Sequence, residues 1–119
     1  KKDQKTPRLM KKPKANCPPC KHVDVLAHKY KLELSSTLSD EEMGRCHTSE
    51  QLILVRDDLP PDGTKDVFLH EILHAIHFHM ELTDSSSEES FTSRTATGLR
   101  TVLTRNPKLC GWLFSTSAP

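Results

Sequence analysis

At 119 residues the chain has room for one domain and one modest core, and nothing in its length suggests a second globular unit. Only 34% of residues are hydrophobic and the longest aliphatic run, Leu52-Ile53-Leu54-Val55, is far short of the roughly 20 residues of a membrane helix, so a soluble protein with no membrane partner is expected. The formal charge of +1 conceals a split: residues 1–31 hold ten Lys or Arg against Asp3 and Asp24, a balance of +8, which leaves −7 for residues 32–119.

The first nineteen residues are rich in Lys and Pro, lack an apolar period and end in Pro18-Pro19. They read as a flexible basic tail, taken as 1–22, ahead of a domain over 23–119. No apolar export core follows the N-terminal lysines, so a reducing cytoplasm is the expected location and Cys17, Cys20, Cys46 and Cys110 are expected to be free thiols. A short apolar segment at 23–27 precedes residues 30–34, Tyr30-Lys31-Leu32-Glu33-Leu34, which alternate at the strand period of two. Turn residues and Gly44 separate these from an aliphatic strand over 50–56, and the two strands are expected to pair as a hairpin or short meander.

Breakers between Asp57 and Thr64 lead into a helix over about 65–81, with Thr64 or Asp62 as its cap. Its apolar residues Phe68, Leu69, Ile72, Leu73, Ala75, Ile76 and Met80 cover most of the circumference and leave a stripe of Val67, His70, His74 and His77. After a loop at 83–87, a second helix is predicted over about 88–104 with Phe91, Thr95, Leu99 and Val102 on one face. Asn106-Pro107 stops it, the segment 109–114 docks on the core, and 115–119 frays.

The chemistry sits in His70-Glu71-Ile72-Leu73-His74. Residues four apart lie one turn above one another, so both imidazoles can face one zinc ion, while Glu71, about 100° around the helix, stands beside the metal as general base for a zinc-bound water. The competing reading is two histidines and a glutamate on a solvated face with no metal. A catalytic zinc takes a third protein ligand, for which Glu88 and Glu89 are the candidates. The alternative for both is helix capping, since Ser85 with Glu88 and Ser86 with Glu89 fit the capping-box spacing. His77 lies two turns, about 10 Å, from His70, too far to share the ion on a straight helix. It is expected either to support the ligands from behind or to donate to a reaction oxyanion, for which Tyr30 is the other candidate. His79 points away from the stripe and is expected at the surface.

Gly44-Arg45-Cys46, Gln51 to Val55, Leu59-Pro60, Phe68 to Ile76, Glu88-Glu89-x-Phe91-Thr92, Thr97-Gly98-Leu99 and Asn106 to Leu109 together resemble the small phage and prophage zinc-peptidase-like proteins, relatives of the ImmA/IrrE-type minimal gluzincins. The resemblance spans residues 23–114. It implies an α+β, minimal zincin-like domain: a short β-sheet or hairpin packed on the HExxH helix and on a second, ligand-bearing helix. It implies Glu89 as the third zinc ligand, followed by Thr92, Thr95 and Ala96 packed in the core, and a strand over 52–56 at the cleft edge where a peptide substrate adds. The metzincin pattern is excluded, because it needs a glycine at position 77 and a histidine at position 80, where the chain has His77 and Met80.

The expected function is therefore zinc-dependent hydrolysis of a protein or peptide, with His70, His74 and Glu89 on the metal, Glu71 as base and His77 assisting. The alternatives are a zinc-containing host-interaction module without turnover, and a DNA-associated protease that uses the basic tail to bind nucleic acid. Cys17-Pro18-Pro19-Cys20 has metal-ligand spacing but lacks a second such pair, and Cys46 and Cys110 read as packing residues.

Overall fold

The computed structural model describes residues 17–115, so most of the basic tail, with its nucleic-acid reading, lies outside the described residues. The tail's far end does not. His22 opens the first strand and the Lys21 carbonyl accepts the Leu32 N–H at 2.8 Å, so the sheet starts just ahead of the expected domain boundary.

Four strands, β1 (His22–Val25), β2 (His28–Ser35), β3 (Gly44–His47) and β4 (Leu52–Arg56), are followed by α1 (Pro61–His79), α2 (Glu88–Arg105) and α3 (Pro107–Leu113). The result is a small α+β domain with sheet order β1-β2-β4-β3. β1 and β2 form a hairpin, but β2 and β4 do not: they run parallel, with Leu32 opposite Ile53 and Leu34 opposite Val55. The expected antiparallel pairing of these two strands fails because β3 is itself a strand. It runs back along the outer edge and reverses through residues 48–51, delivering β4 in the direction of β2. β4 is consequently an inner strand, and β3, not 52–56, forms the edge.

Alternation puts Val23, Val25, Tyr30, Leu32, Ile53 and Val55 on one sheet face, all buried. Phe68, Ile72, Ala75 and Ile76 of α1 cover them, with Val102, Leu109 and Leu113 closing the core. Each such large side chain, fully buried, contributes about 1.5–3 kcal/mol, so these residues hold the domain together. α1 lies over β3 and β4, and α2 lies against α1 and β1. The two helices approach closely at Gly98, where a Cβ would stand 2.5 Å from Ile76 Cγ2.

α1 starts at Pro61, four residues ahead of the prediction, and neither Thr64 nor Asp62 caps it. Proline at the first helical position brings a preset φ and removes one of the free N–H groups of the first turn, and no side chain caps the start. Thr64 lies inside the helix, donating its hydroxyl to the Pro60 carbonyl at 3.0 Å. Asn106 does more than end α2. Its amide oxygen accepts the Asp24 N–H at 2.9 Å and its amide nitrogen donates to the Asp24 carbonyl at 2.9 Å, pairing with the outer edge of β1 as a strand would. α3 docks as expected through Leu109 and Leu113, while Phe114 is exposed. Ser115 is not frayed: the buried Lys65 ammonium donates to its carbonyl at 3.1 Å and its hydroxyl at 2.9 Å. Among the described residues no helix is long and apolar enough to cross a membrane.

Candidate metal centre

α1 presents its one polar face along the open side of β3. His70 and His74, one turn apart, are both exposed, and their Nε2 atoms converge to 3.1 Å with one ring donating to the other. Two nitrogens on one tetrahedral zinc, each at ~2.05 Å, are roughly 3.4 Å apart, so the pair needs only a small opening to chelate. The donor set also fits in kind, since neutral imidazole is a common zinc ligand.

Glu71 differs from both neighbours. It is 6% exposed and makes no hydrogen bond among the described residues. Burial pushes its carboxyl above the usual carboxylate range, His74 and His70 pull it partly back, and Glu42 adds to the rise. A buried carboxyl without a hydrogen-bond partner is costly, and carboxyls of raised pKa concentrate where protons are moved. The side chain is covered because β3 passes over it at Gly44, where a Cβ would lie 3.1 Å from Glu71 Oε2.

The three residues line a cleft of about 600 Å³ together with Cys46 of β3, His77, Phe78 and Leu82. His77 is therefore at the site, although not in line with the pair. Its Nε2 lies 3.3 Å from Thr95 Oγ1 and its ring packs 4.9 Å from that of Phe91, and burial, aided by His74, lowers its pKa, which favours the neutral ring. Cys46 behaves as a packing thiol: burial, aided by Glu71, pushes its pKa up to about 11, far from thiolate at neutral pH.

Tyr30 is not available to an oxyanion. It is fully buried, and its hydroxyl lies 2.6 Å from His79 Nε2. His79 is correspondingly not a surface residue: its ring stacks on His28 with centroids 3.8 Å apart and planes within 12°. The spacing that takes His79 off the polar stripe turns it toward β2, where a tyrosine hydroxyl meets it.

The second helix leaves both candidates for a third ligand outside the group. Ser87 caps α2, its hydroxyl accepting the Ser90 N–H at 3.1 Å, so neither expected capping box forms and neither glutamate is tied up as a cap. Ser86 instead accepts the Thr83 N–H at 3.0 Å within the loop. Glu88 and Glu89 are both exposed, and among the described residues no group of three His, Cys, Asp or Glu side chains is assembled that could hold a metal. Thr92 and Ala96, expected in the core, are exposed as well, and only Thr95 is partly buried. The α1-facing stripe instead runs Phe91, Thr95, Gly98 and Val102, and at spacings of three and seven it extends back to Glu88 rather than Glu89. Cys17 and Cys20 are free thiols, as are Cys46 and Cys110.

A scan against protein-family models, a search of curated proteins and a search of solved structures each returned no match.

Proposed function

We propose that the chain is a zinc-dependent metallopeptidase in which His70 and His74 hold the ion and Glu71 is the general base. The observation that carries this is the contrast within one helical turn: two exposed imidazoles with nitrogens converged to 3.1 Å, beside a carboxyl that is 6% exposed with no hydrogen-bond partner among the described residues. A structural ion pair or a solvated helix face gives no reason to bury that carboxyl. A base for water does, because desolvation raises its proton affinity toward the working range.

Zinc in such a site lowers the pKa of its water to about 7 and polarises a carbonyl. The chain's own residues supply the rest. Glu71 takes the proton from the attacking water and delivers it to the leaving amine; His77, held by Thr95, donates to the oxygen that develops charge. The closing ligand is a carboxylate from the first turn of α2, Glu89 by the resemblance to minimal gluzincins and Glu88 by the helical register. A peptide lies extended along β3, whose outer edge carries the backbone groups for an added strand. Origin in a phage or prophage and action in the host cytoplasm belong to this proposal through the resemblance alone.

A second reading, a zinc-containing or metal-free interaction module without turnover, is favoured by the missing third donor among the described residues. Glu71→Gln separates the two. In the peptidase it retains bound zinc while hydrolysis of a casein or peptide-library substrate falls at least ~100-fold, the scale of losing general-base catalysis. Equal hydrolysis by the variant and the parent protein would remove Glu71 from the mechanism.

A further inference from the structure

Beyond His70 the cleft continues into a second cavity of about 430 Å³, which shares His70 and Glu71 with the imidazole cleft. Its own walls are Glu41, Glu42 and Met43 from the segment before β3, and Asp66 and Val67 from α1. Asp66 is four residues before His70, so it stands one turn, about 5.4 Å, along the same helix face. The cavity is thus the immediate neighbour of the proposed reaction centre, at the end away from Phe78 and Leu82. The two ends differ in chemistry: one carries Phe78 and Leu82 with Arg45 and Thr48, the other Glu41, Glu42 and Asp66.

Three observations fix the ligand class. Glu42 already has a partner in Arg45, but Glu41 and Asp66 are exposed and make no ion pair among the described residues. Glu41, Glu42 and Asp66 against Arg45 leave two formal negative charges on this wall. Glu71, nine-tenths buried and without a hydrogen bond among the described residues, faces this cavity too, a polar group aimed inward rather than at solvent. Between the carboxyls, Met43 and Val67 offer an apolar wall of the kind that a Lys or Arg stem covers while its charged head stays at the rim.

We propose that this cavity is the specificity pocket for a Lys or Arg side chain next to the scissile bond, which makes basic peptides the substrate class. In an extended chain adjacent residues are about 3.3 Å apart, so a carbonyl at the histidine pair sets a neighbouring side chain at the cavity mouth. The proposal rests on the peptidase reading for the nature of its ligand, and two measurements on the zinc-loaded full chain separate them.

The first is an amide-shift titration by NMR with acetyl-Ala-Ala-Arg-Ala-Ala-amide and with its citrulline counterpart, which keeps the shape and loses the charge. The arginine peptide should shift the amides of Gly44, Asp66 and Val67 and bind roughly tenfold more tightly, a difference of about 1.4 kcal/mol. In the paired substitution Asp66→Lys with Glu41→Lys, both at exposed positions, that preference should vanish. Equal binding of the two peptides, no shift at these amides, or a preference that survives the charge reversal would overturn the pocket. The second is cleavage-site profiling on a mixed peptide library. Cuts concentrated beside Lys or Arg support both proposals; cuts without that preference leave the peptidase standing and overturn the pocket. Arginine-selective binding without any cleavage supports the pocket and overturns the peptidase.

Discussion

Gly44 determines how closely the edge strand can approach the site helix. A Cβ there would lie 2.6 Å from Val67 Cγ1 and 3.0 Å from the Leu54 carbonyl oxygen, besides its 3.1 Å approach to Glu71. The Val67 methyl can rotate away, but the Leu54 carbonyl belongs to the ladder and cannot. Gly44→Ala should therefore lower stability by about 1–3 kcal/mol, the usual range for overpacking, with urea unfolding as the measurement. An unchanged midpoint would show that β3 has room to move. His79 gives a prediction of a different kind. Burial, with His28 as the second cause, holds its pKa below 6.5, so below pH 6.5 the unfolded chain takes up a proton that the folded chain refuses. Stability is fully present above that value and falls as the pH drops through it toward the folded pKa. His77 is shifted in the same direction and adds to the acid limb. In zinc-free protein, His79→Gln should show a smaller loss of stability between about pH 7.5 and about pH 5.5 than the parent, by urea titration. Parallel losses in the two proteins would contradict it.

At the scale of elements, the end of α1 carries its own strain. The Leu82 N–H bonds to the His77 carbonyl at 2.9 Å and the Glu81 N–H to the Phe78 carbonyl at 3.1 Å, a Schellman closure in which Glu81 takes φ 58°. A side chain in the left-handed region costs about 1–2 kcal/mol, and Glu81 is exposed with no packing to lose, so Glu81→Gly should stabilise the fold by about 0.5–1 kcal/mol in thermal unfolding. A destabilised variant would mean that the glutamate makes contacts beyond its backbone. What could be read from sequence follows the same division into elements. α1 was legible because its residues carry both a period and a motif, and α2 because its start near Glu88 and its stop at Asn106-Pro107 stand out, although its cap is Ser87 rather than Ser85 or Ser86. β3 was not, since Gly44-Arg45-Cys46-His47 has no alternating apolar pattern and is a strand only by virtue of its pairing with β4. Missing it also reversed the expected relation of β2 to β4 and the choice of cleft edge. α3 is seven residues long, too short to display a helical period. Tyr30 meeting His79 and Asn106 meeting Asp24 join residues 49 and 82 apart, which no local spacing announces.

Across the whole molecule, one sheet face carries the core and the helices that cover it, and the polar face of α1 emerges at the β3 edge. The motif in the sequence and the cleft in the structure coincide there: His70, Glu71 and His74 are together, His77 flanks them, and the glutamates of α2 stand outside the group. The acidic balance of residues 32–119 has a local expression in the carboxyls beside His70. Everything in this reading depends on the histidine pair binding metal. The direct test is calorimetric titration of zinc into the chelator-stripped full chain, beside His74→Ala and the separate variants Glu88→Gln and Glu89→Gln. A single tight equivalent is predicted for the parent, abolished in His74→Ala and weakened in one of the two glutamate variants. Absence of tight binding, or binding that survives His74→Ala undiminished, would contradict it.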